Sequence, residues 1–365
     1  MRSAVLGLVL GWASWAAVGS QLLSAQEASS GLDLRATLTG QAMASNELTE
    51  ESRSGAPVSA GFRSMLYPTW KINNNLSVTG ALQFVTRPYF YADFSTPGYG
   101  AKGYVLQASL NYARVSDKGS LLLRAGQLST AFGSFMLRYD DVDNALIDLP
   151  PEYGYYYAPI STLGVAAAQM DATRGKWDAR AQLANSSPAN PRSIFARDQY
   201  ANWAGGAGYT IRQGLRLGVS GYRGPYLDRH YAYFFPGEAN PNTLPAHAVG
   251  VDAGWEHGHT RILAEAQKFV MPYTVIPKFS EVAAYVEVKQ VLSPRWYVAA
   301  RPGCTSANEG GNMRSLESAA GFRLNRHQLI KFSYEIERYS TETPRYDNAV
   351  AVQFVTTLDK AFGRD

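Results

Sequence analysis

Segment after segment of this chain alternates apolar and polar residues, over about ten residues at a time. Successive side chains of a β-strand point to opposite faces, so a period of two gives each strand one apolar and one polar face. From Leu76 to Arg87, the residues Leu76, Val78, Gly80, Leu82 and Phe84 share one face, and Ser77, Thr79, Gln83 and Arg87 share the other. Trp177, Ala179, Ala181 and Leu183 oppose Asp178, Arg180 and Gln182 in the same way. Val282, Ala284, Val286 and Val288 oppose Glu281, Glu287 and Lys289, and the pattern returns over 315–324 and 328–338. No long stretch keeps a helical period. Strands of ten to twelve residues exceed the usual sandwich strand and match a tilted bilayer crossing. The polar faces, rich in Arg, Glu, Gln and Ser, suit a wet interior. Charged residues make up only 18% of the chain and aromatics reach 12%. That is a surface composition for lipid rather than water.

The connections between these segments alternate in length. Short turns fall at 71–75, 116–119, 173–176, 213–214, 257–259, 292–295 and 325–327. Longer links fall at about 45–57, 92–103, 128–161, 186–201, 224–246, 270–279, 304–314 and 340–347. Seven short and eight long connections join sixteen strands and leave both termini on the short-turn side. One hairpin fewer or more would give fourteen or eighteen. The spacing predicts an all-β fold: a transmembrane antiparallel β-barrel of about 16 strands, with short periplasmic turns and long extracellular loops. Lipid offers no hydrogen bonds, so strands can cross it only as a closed barrel. At sixteen strands the interior is too wide for side chains to fill, and a water channel remains.

Residues 1–25 have the form of a secretory signal, with Arg2, an apolar run from Ala4 to Val18, and small residues before a cut at Gln26. The expected barrel then occupies 26–358, with a C-terminal tail at 359–365. Tyr67 and Trp70, Tyr89 to Tyr91, Tyr112, Trp177, Trp255, Trp296 and Tyr297 cluster near strand ends, as interfacial girdles do.

The longest link, 128–161, sets Arg138 among Asp140, Asp141, Asp143, Asp148 and Glu152, between apolar residues such as Phe132, Phe135, Leu146 and Ile147. That content favours packing against a wall over free solvation, so this third loop is expected to fold inward as a constriction. Arg63, Arg87, Arg124 and Arg180 are expected on the facing pore wall, where an arginine group opposite an acidic loop would set a transverse field. Arg35, Arg216, Arg261, Arg323, Glu265, Glu281, Glu287, Glu317 and Glu335 also take the lumenal phase. On this reading an arginine at lipid-facing Val286 destabilises, whereas the same change at Glu287 costs little.

Other chemistries find little support. A formal net charge of +4, evenly spread, does not point to nucleic acid. The single Cys304 excludes an internal disulfide and a cysteine metal cluster. The histidines His230, His247, His257, His259 and His327 lie in turns or the fifth loop, and none falls in a recognisable nucleophile–base motif. No enzyme activity, metal or cofactor is expected. The alternatives are a barrel serving as a receptor or adhesion platform through the Tyr-rich fifth loop, 226–247, and an outer-membrane hydrolase.

The run Leu121-Leu-Leu-Arg124-Ala-Gly126-Gln127-Leu-Ser-Thr-Ala-Phe132-Gly133 resembles the strand-to-third-loop entry of bacterial trimeric porins of the phosphate-selective (O/P-type) family. The resemblance implies an outer-membrane diffusion channel for small hydrophilic solutes or ions, a homotrimer, and a bilayer as the main partner. The family's phosphate channels are lined with lysines. This chain has nine, of which Lys71, Lys118, Lys176 and Lys360 fall in turns or the tail. Porins also end on an aromatic residue. Here Phe354 and Leu358 are the last outer-face residues expected before the tail.

Overall fold

The computed structural model describes residues 30–46, 58–87, 89, 100–154, 164–185, 202–225, 244–275, 277–308, 311–340 and 345–362. The expected signal segment, residues 155–163 of the third loop and residues 226–243 of the fifth lie outside this set.

The sixteen strands are β1 (Gly31–Ser45), β2 (Val58–Lys71), β3 (Leu76–Arg87), β4 (Gly100–Ser116), β5 (Gly119–Leu128), β6 (Val165–Arg174), β7 (Trp177–Ala184) and β8 (Asn202–Arg212), then β9 (Leu215–Pro225), β10 (Pro245–His257), β11 (Thr260–Met271), β12 (Phe279–Val291), β13 (Trp296–Ala307), β14 (Asn312–Asn325), β15 (Gln328–Ser340) and β16 (Arg345–Phe362). Each pairs with its sequence neighbours, and β16 pairs with β1 to close the barrel. Closure leaves no strand edge for lipid to meet.

All seven short turns stand where the sequence put them. Gly175, Gly214 and Gly258 take φ of +60°, +79° and +57° in the two-residue turns, a conformation glycine adopts without strain. The opposite end departs from expectation in its last two links. β13 to β16 continue into the expected loops and leave only 308–311 and 341–344 between them, no longer than the turns 72–75 and 292–295. The length asymmetry is therefore carried by the earlier loops. The C-terminal boundary also moves. β16 runs to Phe362, four residues past 358, because Leu32 to Arg35 of β1 require partners, and Asp359 to Phe362 supply them. The outer face of the last strand thus runs Phe354, Thr356, Leu358, Lys360, Phe362, with an aromatic as the last residue of the strand.

The two faces invert the order of a soluble protein. Val282, Val286, Leu316, Phe332 and Val352 are exposed, while Glu281, Glu287, Glu317, Lys331 and Gln353 are buried. That outer belt spans a bilayer, and single-chain barrels of this kind occupy the bacterial outer membrane. Trp70, Trp177 and Trp296 face outward near the short turns, as a girdle should. Tyr67, Tyr89 and Tyr297 correct the expectation. Tyr297 alternates with Trp296 and so points inward, and Tyr67 and Tyr89 are drawn inside by hydrogen bonds to the third loop. No described helix is long and apolar enough to cross a membrane.

Val286→Arg should destabilise the folded barrel by about 2–4 kcal/mol, the cost of a cation near the bilayer midplane. Reversible urea unfolding from vesicles measures this. The lumen-facing Thr357→Arg should leave stability near that of the parent, and equal losses at the two positions would show the strand phase to be wrong.

Candidate functional site

The described part of the third loop lies inside the barrel. It leaves β5 at Leu128, makes a short helical turn at Phe135–Arg138, and reaches a second single turn at Pro151–Gly154. Its apolar residues enter sockets where lumenal alanines leave room between larger side chains. Phe132 packs among Ala204, Tyr222, Ala248 and Phe269. Leu146 packs among Tyr297, Ala299, Ala319 and Val355, and Ile147 among Met43, Ala349 and Ala351. Complete burial of such a side chain contributes about 1.5–3 kcal/mol.

Gly133 shows why the entry motif needs its glycine. Its φ is +74°, and a Cβ there would collide with the Tyr153 hydroxyl, Glu265 and Gln267. Glu265 on β11 anchors this corner. Its carboxylate accepts from the Ser134 amide at 2.9 Å, the Ser134 hydroxyl at 2.8 Å and the Tyr153 hydroxyl at 2.7 Å. Gly303 on β13 gives similar clearance to the ring of Pro151.

Charged groups fix the rest of the loop. Arg138 donates to Glu287 on β12 at 3.0 and 3.1 Å and to the Tyr285 hydroxyl at 2.8 Å. Asp140 accepts from Thr37 of β1 at 2.9 Å and Tyr67 of β2 at 2.6 Å. Asp141 pairs with Arg63 of β2 at 3.0 Å and accepts from Tyr89 at 3.0 Å. Lys331 on β15 donates to the carbonyls of Asp141 and Leu146 at 2.6 and 3.0 Å. Glu317 on β14 accepts from the amides of Ile147 and Asp148, and Arg301 on β13 bridges Glu317 and the Asp148 carbonyl at 2.6 Å each.

This geometry corrects the expected segregation of charge. Arg63 touches Asp141 instead of facing it across the lumen, and both are buried. Arg180 donates to the Gly133 carbonyl. Arg124 pairs with Asp171 of β6 at 2.7 Å, an ion pair within the wall. The side chain of Arg87 lies outside the described residues. Opposite charges sharing one low-dielectric space pair locally, because an unpaired buried charge is costly. Glu287 also differs from expectation. It is buried beneath Arg138 and near Arg261 and Arg301, so reversing its charge would set a cation against all three and leave Arg138 and Arg261 without their carboxylate. Asp143 is the acid that stays most accessible, 3.5 Å from Arg35.

Arg301 and the loop-holding roles of Lys331, Tyr285 and Tyr89 have no motif that marks them in the sequence. Alternation with Trp296 and Val298 would have put Arg301 in the lumen. The long-range pairings carry no local signal.

Three loop acids hold a proton more readily than in water, Asp143 among them through burial beside Asp140. Burial, with Glu317 nearby, raises the Asp148 carboxyl, and burial, with Glu265 nearby, raises Glu152 well above the ordinary range. Both Glu152 carboxylate oxygens are buried, and among the described residues neither has a hydrogen-bond partner. Among the described residues no group of His, Cys, Asp and Glu is arranged to hold a metal, His257 and His259 included.

No family model matches this chain, and no curated protein matches it by sequence. Solved structures match it in fold. The outer membrane channel DcaP of Acinetobacter baumannii superposes with a TM-score of 0.62 at 11% identity, covering 90% of this chain and 97% of that one. An anion-selective porin from Comamonas acidovorans gives 0.57 at 10% identity, covering 91% and 100%. OmpT of Vibrio cholerae, in a trimer form, gives 0.57 at 12% identity, covering 90% and 100%. At these identities the likeness is one of fold.

Two outcomes test the site. Arg63→Ala leaves Asp141 a buried, uncompensated charge, so docking of the loop should weaken by about 3–5 kcal/mol. Hydrogen exchange at amides 139–148 should accelerate accordingly, and unchanged protection would contradict the anchoring role. The second outcome concerns pH. The docked loop keeps protons on Asp148 and Glu152 that a solvated loop releases near pH 4. Raised pKa values in the docked state mean that docking is most favourable in acid and weakens as pH rises from the solvated value to the docked one, about 8 for Asp148. Exchange at 144–152 should therefore be faster at neutral pH than at pH 5 after correction for intrinsic rates, and the opposite trend would count against it.

Proposed function

We propose that this chain is an outer-membrane porin, a water-filled diffusion channel for small hydrophilic solutes or ions, narrowed by its third loop. The observation that carries the reading is the pinning of residues 132–153 inside the lumen by buried bonds to wall strands around the barrel. Toward the short turns, lumenal side chains of both signs reach water, among them Asp33, Arg35, Asp171, Arg261 and Arg323. That half of the interior is a hydrated vestibule leading to the narrowed level.

Selectivity should be weak. Most charges at the level of the loop are locked into pairs, which leave dipoles rather than a field of one sign. Exposed charges act over only about 8–10 Å at ordinary salt. Arg138, Asp140, Asp141, Asp143, Asp148 and Glu152 form the narrowing segment, with Arg63 and Arg180 as its wall anchors. Phosphate selectivity, the finer implication of the Leu121–Gly133 resemblance, has less behind it. Of the lumenal lysines, Lys331 is spent on loop carbonyls, and Lys289 lies over the Tyr297 ring. A homotrimer in the bilayer is the proposed assembly, supported by the trimeric OmpT form with the same fold.

Planar-bilayer recording tests this reading. The purified mature chain should open in steps grouped in threes, with moderate conductance. Asp140→Asn with Asp141→Asn removes two acids and leaves Arg63 and Arg35 less compensated, so the reversal potential in a salt gradient should move towards anions. A double variant with unchanged reversal potential and unchanged conductance would place the loop outside the conducting path.

A further inference from the structure

On the outer face, Arg314 of β14 and Arg338 of β15 stand directly opposite each other in the register. Both are exposed, in phase with lipid-facing Leu316 and Ile336. Like charges directly opposed across a strand pair destabilise it. Among the described residues neither arginine forms an ion pair, and the Arg338 guanidinium lies over the Tyr346 ring, 5.4 Å from its centroid. Their height follows from the strand. Arg314 is eight residues from Phe322, which packs against Trp296 in the girdle by the short turns. At about 3.4 Å per residue and a tilt near 40°, that is roughly 20 Å of an apolar belt about 25 Å tall. The pair therefore sits where the headgroups of the outer leaflet begin.

Directly below, on the same strands, the outer surface is grooved. Val298, Ser318, Ala320, Phe332 and Tyr334 line an open trough of about 420 Å³. Small residues on β14 form its floor. The Tyr334 hydroxyl donates to Asn348 at 3.1 Å, which holds one bank in place. A trough continuous with the bilayer takes a hydrocarbon chain. Two guanidinium groups above it take a phosphate, which can accept from both at once.

We propose that this face is a binding site for a phosphorylated glycolipid of the outer leaflet. A headgroup phosphate bridges Arg314 and Arg338, and one acyl chain lies along the Ser318–Ala320 floor. The bridging anion cancels the repulsion between the arginines and ties β14 to β15 where the lipid packs.

Cys304, the chain's only cysteine, is exposed and is the register partner of Arg314 on β13. It provides a native reporter. The full mature chain, labelled there with bimane in dodecyl maltoside micelles, is titrated with bis-phosphorylated lipid A, with its dephosphorylated form, and with inorganic phosphate. A saturable spectral shift is expected with the first. Losing charge-assisted bonds should weaken binding at least about tenfold, both for the dephosphorylated lipid and for Arg314→Gln with Arg338→Gln. Ser318→Trp fills the trough, keeps both arginines, and should also weaken binding. Heat-modifiable gel migration verifies that each variant is a folded barrel. Undiminished binding by the double variant, equal binding of the dephosphorylated lipid, or a response to inorganic phosphate alone would overturn the proposal. So would a shift that follows protein concentration instead of lipid, which would assign the trough to a second copy of the chain.

Discussion

Everything in this molecule follows from the need to pair every backbone N–H and C=O that faces hydrocarbon. Each unpaired group costs several kcal/mol in lipid. The pairing of β1 with β16 from Leu32↔Phe362 to Ser45↔Ala349 is therefore as necessary as any hairpin, and it explains why the chain stays a strand almost to its end. Exceptions are confined. The β12–β13 register lapses between Tyr285↔Gly303 and Val288↔Ala300, around Pro302, which has no N–H to give. The β2–β3 register lapses beside Pro68 in the same way.

Closure creates an interior that is neither core nor solvent, and the third loop settles its character. Apolar loop residues fill sockets where the wall offers alanine or glycine, and charged residues fix the loop's position. Buried ion pairs add little net stability over apolar packing, but breaking one partner is expensive. Arg63–Asp141 and Arg138–Glu287 thus act as registration pins, and Arg301–Glu317, a pair within the wall, holds the loop through the backbone of Ile147 and Asp148. The loop is held by contacts 47 to 212 residues distant in sequence, which join it to the wall as one packed unit.

The fold was legible in the sequence because its strongest signal is local. Alternation in segments such as 282–288 states which face meets lipid, and turn length states which end is which. Both come from short-range chemistry. The strand ends were less legible, because Asp359 and Lys360 look like a polar tail until β1 is seen to need partners there. The site was legible in composition only. The acid-rich, apolar-studded loop pointed inward, yet the partners of its acids did not follow. Which arginine meets which carboxylate depends on where the loop crosses the lumen. Tyr67 and Tyr89, placed among girdle residues by their position, turn out to hold Asp140 and Asp141.

On the proposed function, the third loop should narrow the conducting path of the barrel. Single-channel conductance tests it most directly, comparing the parent chain with a variant in which residues 134–148 are replaced by a short Gly-Ser linker joining the flanking segments. The barrel wall does not depend on that segment for any strand pairing, so the variant should fold. Its conductance should rise several-fold, and its dependence on solute size should relax. A variant that folds, inserts and conducts as the parent does would contradict the account.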